Sequence, residues 1–474
     1  MHKVGLLGYK VGILTFSDGR PHAHNAQEKT VKREHEKLAN ALKKTGEAEV
    51  IEGSRFITSH KIAVEEAKRM VREDVDCTIL NTPIWVFPHF VVIAARNGQQ
   101  PYLLFANDDP STSAMVGMLA SSGSLDQLGI RYKRVWGDAA NEKTLGEMMV
   151  FIRAAYGVKK LKGQTYGLFG GRSMGMYTAI SELATWQRKF GVDIEHVDQL
   201  EIIREAEKVS EEDANRHLKW LKENVSEIVY DGKFVTDEML KKELKCYIAT
   251  KRLAKKLDFD FIGVKCQPEL SDGYCTQCFT SAFMNDPYDA DGKKEPMVMA
   301  CEVDMDGALT MQILKLLSKK PVLFFDFRGY DEEIKAYVFA NCGAMSTWYS
   351  ARSNDPRENL KKVRIEPAPC QYFLAGGANI QFICKEGDVT CARLLRRNGE
   401  YLMMIMRGKF VEMPLEKLRQ TTWQWPHAFV KINVEPENLI KKYGSNHVHA
   451  VTGDYVNELI EVCNLLDIKY EVFG

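Results

Sequence analysis

The sequence predicts an α/β fold with two doubly wound, parallel-sheet domains, followed by a β-rich, antiparallel and barrel-like C-terminal domain. Over residues 1–345, short apolar strand patterns alternate with amphipathic helical patterns, which is typical of parallel α/β folds. The linker-like segment at 157–163, Gly-Val-Lys-Lys-Leu-Lys-Gly, interrupts this alternation. From residue 346, strand patterns follow one another with few helices between them. The predicted domains are therefore 1–163, 164–345 and 346–474.

The first two domains share one pattern of strands and helices. In the first, strands are predicted at 11–16, 49–52, 77–81, 101–106 and 131–135, with helices at 25–45 and 142–156. In the second, strands are predicted at 165–169, 192–197 and 259–265, with three charged helical runs over 198–255. Each series of strands and crossover helices predicts a parallel sheet, at whose carboxyl edge ligands bind.

One segment of the second domain, residues 297–331, carries two carboxylates where strands end. An apolar strand ends on Glu302, a helix follows, and a second strand runs from Pro321 into Asp326. Because strand, crossover helix and strand make a parallel unit, we expect both carboxylates at the ends of neighbouring strands of one sheet. Their pairing indicates a divalent metal site or an acid/base pair.

The third domain ends with a pair of histidines. Strands are predicted at 362–365, 371–373, 379–384, 390–396, 400–406 and 427–434, with turn signals between several of them. His447 and His449 alternate along a further short strand before a C-terminal helix at 454–466, so they face the same side. Either histidine is a metal ligand or a structural residue on this pattern alone.

Composition limits the classes of function. The 474 residues are 45% hydrophobic and 27% charged, as in globular proteins, and 64 basic residues balance 64 acidic ones, which argues against nucleic acid as a partner. No apolar run approaches the ~20 residues that cross a bilayer, and no signal peptide is evident. Eleven scattered cysteines fit reduced thiols. We expect a cytoplasmic protein without a membrane partner.

Several motifs have ordinary alternatives. The loop 170–175, Gly-Gly-Arg-Ser-Met-Gly, lacks the spacing of nucleotide-binding glycine motifs, so a tight turn near a sugar is favoured. Cys275 and Cys278 form a single C-x-x-C without the second pair of a zinc ribbon. Arg20 and Trp85 follow predicted strand ends, where ligand-binding residues often lie. The ordinary alternatives are that Arg20 is a solvated charge and that Trp85 is a core aromatic residue.

Carboxylates and an imidazole together have a preferred chemistry. Oxygen ligands favour Mg²⁺ or Mn²⁺, and one imidazole shifts the preference toward Mn²⁺. A Glu/Asp/His site leaves positions for two adjacent substrate oxygens, which suits a polyol or hydroxy-carbonyl substrate.

The sequence resembles the L-fucose isomerase family of aldose–ketose isomerases. The matching segments are 169–176 (FGGRSMGM), 186–188 (WQR), 191–198 (GVDIEHVD), Cys266-Gln267, Glu302, 306–311 (DGALTM), Asp326 and Asn446-His447. The resemblance implies that Glu302, Asp326 and His447 bind Mn²⁺, with Mg²⁺ or Co²⁺ as alternatives. It also implies that the two carboxylates are the acid/base pair of an ene-diol mechanism.

The same resemblance implies a substrate site and an assembly. Gln267, Asn446 and either Trp423 or Trp425 would line the sugar. The family is hexameric, and an N-terminal domain closes over a neighbouring subunit's site, so the resemblance implies a homo-oligomer with a shared site. Arg20 and Trp85 are the matching candidates there.

Departures from the family leave the sugar open. The chain is shorter than the long L-fucose isomerases, and Val448 replaces the usual glycine after the metal histidine. Some shorter relatives resemble isomerases of C6-modified aldoses such as sulfoquinovose, which gives 6-deoxy-6-sulfofructose. Candidates for an anionic C6 group are Arg20, His22, His24, Arg172 and Lys265. We predict a metal-dependent aldose–ketose isomerase; a non-catalytic sugar-binding protein and a nucleotide-dependent enzyme are the alternatives.

Overall fold

The computed structural model describes residues 8–343 and 345–474. These residues form two compact units. The first contains residues 8–159 together with Ile460–Leu465, and the second contains 160–459 and 466–474. No helix in the described part of the chain is long and apolar enough to span a membrane.

The first unit is a doubly wound α/β domain. Its five strands are all parallel and are ordered β2-β1-β3-β4-β5. The strands are β1 (Tyr9–Thr15), β2 (Ala48–Glu52), β3 (Cys77–Asn81), β4 (Tyr102–Ala106) and β5 (Tyr132–Trp136). The helices are α1 (Pro21–Lys44), α2 (His60–Arg72), α3 (Pro88–Asn97), α4 (Ala114–Asp126) and α5 (Glu142–Leu161). The fold predicted for this region is confirmed.

The second unit begins with a four-stranded parallel sheet. Its order is β12-β9-β6-β7, so the carboxyl ends of its strands share one edge. The strands are β6 (Thr165–Phe169), β7 (Asp193–Val197), β9 (Phe261–Val264) and β12 (Met299–Cys301). The helices are α6 (Leu183–Phe190), α7 (Leu200–Ala206), α8 (Glu211–Asn224), α9 (Asp237–Lys256), α10 (Glu269–Gly273), α11 (Cys278–Asn285) and α12 (Met305–Ser318).

The rest of the second unit is rich in antiparallel strands. Its principal sheet has the order β17-β20-β13-β14-β19-β18-β21, and a further pairing of β17 with β18 closes six of these strands into a ring. The strands are β13 (Leu323–Asp331), β14 (Ala336–Ala340), β17 (Gly387–Arg397), β18 (Glu400–Val411), β19 (His427–Ile432), β20 (His447–Thr452) and β21 (Lys469–Phe473). The predicted β-rich, barrel-like fold is confirmed as this ring, although β13 and β14 lie before residue 346, where this region was predicted to begin.

Smaller elements complete the second unit. A three-stranded sheet contains β8 (Glu227–Ile228), β15 (Arg364–Pro367) and β16 (Ala378–Gln381), and a hairpin contains β10 (Tyr288–Asp289) and β11 (Gly292–Lys293). The remaining helices of this unit are α13 (Pro356–Leu360) and α14 (Pro436–Ile440), with 3₁₀ turns at Ser173–Gly175, Thr347–Ser350 and Leu415–Gln420. Helix α15 (Val456–Leu466) contains the segment Ile460–Leu465 that belongs to the first unit.

The expectation that Glu302 and Asp326 end neighbouring strands of one sheet is wrong. Glu302 follows β12 in the parallel sheet, whereas Asp326 lies in β13, an antiparallel strand of the ring. The reason is the helix between them. Eleven of the fourteen residues of α12 are buried, because the helix contacts β9 and β12 on one side and β17 and β20 on the other. A helix buried all round lies between two layers, and the chain leaving it enters the second layer.

Candidate active site

A tight turn places Glu302 at the carboxyl edge of the parallel sheet. Glu302 and Val303 both have left-handed backbone conformations, with φ of 57° and 60°. The Asp304 side chain then caps α12 by accepting a hydrogen bond from the Gly307 amide at 2.9 Å. The turn therefore leads from strand to helix within two residues and leaves the Glu302 side chain only 12% exposed.

Asp326 and His447 are fixed by the ring. They are directly opposite each other on the antiparallel strands β13 and β20. Side chains opposite each other on such strands project to the same face. Asp326 and His447 are therefore neighbours across the sheet although 120 residues lie between them in the sequence.

The carboxylates of Glu302 and Asp326 both approach one ring nitrogen of His447. His447 Nε2 lies 3.2 Å from Glu302 Oε2 and 3.6 Å from Asp326 Oδ1. The His447 side chain is buried, and that of Asp326 is 30% exposed, so the cluster opens toward solvent on the Asp326 side. The structure therefore brings together the three residues that the resemblance assigns to a metal.

The other nitrogen of His447 contacts a residue that the sequence analysis did not identify as functional. Nδ1 lies 2.6 Å from Asp304 Oδ2, and the same oxygen accepts a hydrogen bond from Arg393. The sequence predicts for Asp304 only a place in the first turn of a helix. An arginine inside the apolar strand 390–396 is an unusual residue to bury, and this could have identified Arg393 as a partner of a buried acid.

Arg393 also explains the state of the second histidine. Its guanidinium lies 3.2 Å from His449 Nε2, which must accept this hydrogen bond because a guanidinium can only donate. Burial and the nearby Arg393 charge keep the pKa of His449 well below its ordinary value. His449 is therefore neutral and faces Arg393, whereas His447 faces the three carboxylates.

The carboxylates set the protonation of the cluster. Burial by itself lowers the pKa of His447, but hydrogen bonds to Asp304 and Glu302 outweigh it and raise that pKa to about 10. Burial, with the Glu302 charge adding to it, raises the pKa of Asp326 to about 6 despite the opposing effect of His447. Without a metal ion, the neighbouring carboxylates thus favour the imidazolium form of His447.

The types of these side chains and the distances between their donor atoms fit a divalent cation. Two carboxylates and one imidazole are donors that Mn²⁺ accepts, and neighbouring donors on an octahedral ion with bonds near 2.1 Å are about 3 Å apart. In residues 8–343 and 345–474 no group of three such side chains is arranged to hold a metal ion. His447 Nε2 lies 3.2 Å from Glu302 Oε2, and a bound ion would take the place of the proton between these two atoms.

Two of the predicted substrate residues lie beside this cluster. Asn446 precedes His447, and its Nδ2 donates to Asp326 Oδ1 at 3.2 Å. Gln267 follows β9, the neighbour of β12, and its carbonyl accepts a hydrogen bond from Ser173 Oγ at 2.9 Å. Both are therefore at strand ends that border Glu302 or Asp326.

The two candidate tryptophans have different surroundings. Trp423 Nε1 donates to Glu366 at 3.2 Å, and the Arg419 guanidinium covers its ring. Trp425 lies 5.0 Å from the guanidinium of Arg328, two residues beyond Asp326, and its buried Nε1 has no hydrogen-bond partner in the described structure. Trp425 is thus the one with an unused donor.

Arg20 and Trp85 belong to the first unit. Arg20 follows β1 and Trp85 follows β3, and these adjacent strands lie where the sheet order reverses, between β1 and β3. Such a reversal is where ligands bind in open α/β sheets. The Arg20 guanidinium donates two hydrogen bonds to the Asp18 carboxylate, so its charge is already paired. Their predicted role at a shared site stays a prediction.

Comparison with known families covers most of the chain. Residues 8–163 match the first N-terminal domain of L-fucose isomerase, 164–319 match its second N-terminal domain, and 339–473 match its C-terminal domain. Glu302 thus lies in the second N-terminal match and His447 in the C-terminal one.

Individual relatives agree with the family match. The L-fucose isomerase of Haemophilus influenzae (strain ATCC 51907) is 24% identical over 85% of this chain and 80% of its own length. The L-fucose isomerases of Streptococcus pneumoniae (strain P1031) and Vibrio vulnificus (strain YJ016) are 23% and 22% identical, over 84% and 85% of this chain. With all three domains matched in order, the chain belongs to the L-fucose isomerase family and is an aldose–ketose isomerase, an intramolecular oxidoreductase.

Proposed function

We propose that this isomerase depends on a divalent metal ion, preferably Mn²⁺, and works through an ene-diol intermediate. One observation carries the proposal. Carboxylate oxygens of Glu302 and Asp326, which come from separate segments of the chain, both lie within 3.6 Å of His447 Nε2. Such a buried set of two acids and an imidazole needs a cationic partner, either a proton or a metal ion.

The reaction divides between the ion and the chain. A bound Mn²⁺ ion would polarise the C1 and C2 oxygens of an aldose and so acidify the proton on C2. One of Glu302 and Asp326 removes that proton, and the other moves the hydroxyl protons as the ene-diol becomes the ketose. His447 holds the set together from the ring side, and Asn446 holds Asp326 in place through its 3.2 Å hydrogen bond.

The sugar is held by residues beside this set. We propose that Gln267 and Asn446 hydrogen-bond its hydroxyls and that Trp425, rather than Trp423, lies against it, because among the described residues the ring N–H of Trp425 has no acceptor whereas that of Trp423 donates to Glu366. A buried donor that gains an acceptor on binding favours the ligand.

An uncharged aldose of the L-fucose type is the first candidate substrate. Of the cations considered for an anionic C6 group, Lys265 is ion-paired with Glu269 and Arg20 with Asp18. Arg172 is exposed and stacks on Tyr177 at 5.0 Å. Two of the candidate cations are therefore already neutralised, which favours L-fucose or D-arabinose over a C6-sulfonated glucose such as sulfoquinovose.

Removal and return of the metal tests the proposal. The protein is treated with EDTA, assayed for ketose formation from L-fucose, D-arabinose, and C6-sulfonated and C6-phosphorylated glucose, and assayed again with Mn²⁺, Mg²⁺ or Co²⁺. We expect activity on one of these sugars to disappear and to return best with Mn²⁺. Full activity after EDTA would contradict the metal, and sugar binding without turnover would indicate a binding protein.

The assembly is proposed from the family alone. A homo-hexamer in which Arg20 and Trp85 of one subunit reach the site of another predicts a single high-mass species in light scattering. It also predicts that Trp85→Ala lowers the affinity for the sugar while the thermal midpoint is unchanged. A monomer with full activity would contradict it.

A further inference from the structure

We propose that Asp304 is a positioning residue that fixes the ring orientation and tautomer of His447, and that Arg393 holds Asp304 charged for this purpose. The inference rests on the proposed metal role of His447. It concerns two residues that neither the family match nor the sequence assigned to the site.

Both oxygens of the Asp304 carboxylate accept hydrogen bonds from other residues. Oδ1 accepts a hydrogen bond from the Gly307 amide at 2.9 Å, and Oδ2 accepts hydrogen bonds from His447 Nδ1, at 2.6 Å, and from Arg393. Asp304 is completely buried and Arg393 is 1% exposed. A carboxylate bonded on both oxygens and closed off from water cannot rotate without losing one of these bonds.

The consequence for His447 is directional. A carboxylate at Nδ1 requires that nitrogen to carry its hydrogen, so Nε2 is the atom left to face Glu302 and Asp326. Carboxylates that bond the far nitrogen of a metal-binding histidine fix its orientation and raise its basicity. Arg393 stabilises the negative charge of Asp304, because a guanidinium stays protonated throughout the accessible pH range.

A neighbouring ion pair supplies a matched control. Asp306, two residues on, accepts from Arg396 Nε at 2.6 Å and from the Tyr401 hydroxyl at 3.1 Å. Arg393 and Arg396 lie on the same strand, β17, and Asp304 and Asp306 lie at the same helix start. Both pairs tie α12 to the ring, but only Asp304 contacts His447 in the described structure.

The test measures Mn²⁺ binding without substrate. Binding of Mn²⁺ to the full-length protein is followed by the electron paramagnetic resonance signal of the free ion, for wild type, Asp304→Asn and Asp306→Asn. We expect Asp304→Asn to weaken binding by about 10- to 100-fold, as removal of such a partner does elsewhere. We expect Asp306→Asn to lower the thermal midpoint but to leave the Mn²⁺ affinity at the wild-type value.

Each outcome decides the inference. Wild-type affinity in a folded Asp304→Asn protein would overturn it, and so would equal weakening by Asp306→Asn, which would mean that loosening α12 is sufficient. If Asp304→Asn does not fold, the double variant Asp304→Asn/Arg393→Met, which leaves no unpaired buried charge, is measured instead under the same criteria. A wild-type protein that binds no Mn²⁺ would overturn the proposed function itself, and this inference with it.

Discussion

The two halves of the candidate active site are built in different ways. The parallel sheet presents Glu302 from a two-residue left-handed turn at the edge strand β12, and Asp304 caps the helix that follows. The ring presents Asp326 and His447 from paired strands, where ladder hydrogen bonds fix both. One half therefore obtains its precision from a strained turn, and the other from a continuous sheet.

The largest effect is expected from removing either carboxylate. Glu302→Gln in the parallel half and Asp326→Asn in the ring should each lower kcat by roughly 10²–10⁴-fold, because a positioned proton-transfer group is lost. Initial rates at saturating Mn²⁺ and sugar, together with the thermal midpoint, measure this. Near-normal activity in a folded variant would remove that residue from the reaction.

A second effect concerns the junction between the halves. Arg396→Met leaves Asp306 buried without its cation, and breaking such a pair costs up to about 3–5 kcal/mol of unfolding free energy. The next arginine, Arg397, is half exposed and lies 3.9 Å from Glu471, so Arg397→Met should cost at most about 1 kcal/mol. Urea unfolding compares them, and equal losses would show that Asp306–Arg396 is not a special contact.

A third effect belongs to the ring and depends on pH. His427, on β19, donates from Nδ1 to the Trp425 carbonyl and accepts at Nε2 from the Thr421 hydroxyl. Burial, with the Arg328 charge in the same direction, lowers the pKa of His427 to about 4 from 6.5, against the effect of the Trp425 carbonyl.

The sign of this pH effect follows from that lowered pKa. The folded protein binds this proton more weakly than the unfolded chain does, so the stabilisation is complete above pH 6.5 and is lost as the pH falls toward 4, by about 3 kcal/mol in all. Thermal midpoints measured from pH 7 to pH 4 should therefore fall less steeply in His427→Gln than in wild type. Parallel curves would mean that His427 does not stay neutral in the fold.

The smallest effect tests the packing behind the turn. A methyl group on Gly263, in β9, would overlap the Tyr166 hydroxyl and approach Val303 Cα to 3.1 Å. Gly263→Ala should therefore cost about 1–3 kcal/mol and reduce activity, because the displaced turn carries Glu302. Gly123→Ala, in open space on α4, should instead stabilise by about 0.5–1 kcal/mol. Calorimetry and initial rates decide whether the turn is held from behind.

Much of the fold could be predicted from local pattern. The alternation of strands and helices predicted both parallel sheets, and Glu302 does lie at a sheet edge next to Gln267. These features follow from hydrophobic period and chain order, which a single sequence contains.

The topology around Asp326 was predicted wrongly from the same kind of pattern. The strand, helix and strand of 297–331 predict one parallel unit by their order, whereas α12 has apolar residues on all its faces and β13 belongs to the ring. A helix buried all round indicates a second layer, and that signal was present in the sequence.

Contacts between segments that are distant in the sequence could not be predicted from local sequence patterns. The register that sets Asp326 opposite His447, and the bond from Arg393 to Asp304, join residues 121 and 89 positions apart. Only the resemblance to a family placed His447 with the carboxylates. The apolar strand 390–396 indicates that Arg393 has a buried acid as its partner, but the sequence does not show that this acid is Asp304.

The left-handed pair Glu302–Val303 has a consequence for how this chain can change. Single non-glycine residues in that conformation cost of order 1–2 kcal/mol each, and a β-branched residue such as Val303 adopts it rarely. Glycine at position 303 would relieve the backbone, but it would also remove a fully buried side chain and free the turn that aims Glu302. Relief of backbone strain and loss of the buried side chain therefore have opposite effects on thermal stability at this position, whereas turnover depends on how the turn orients Glu302. A library randomised at Val303 and sorted separately for each property should return different residues.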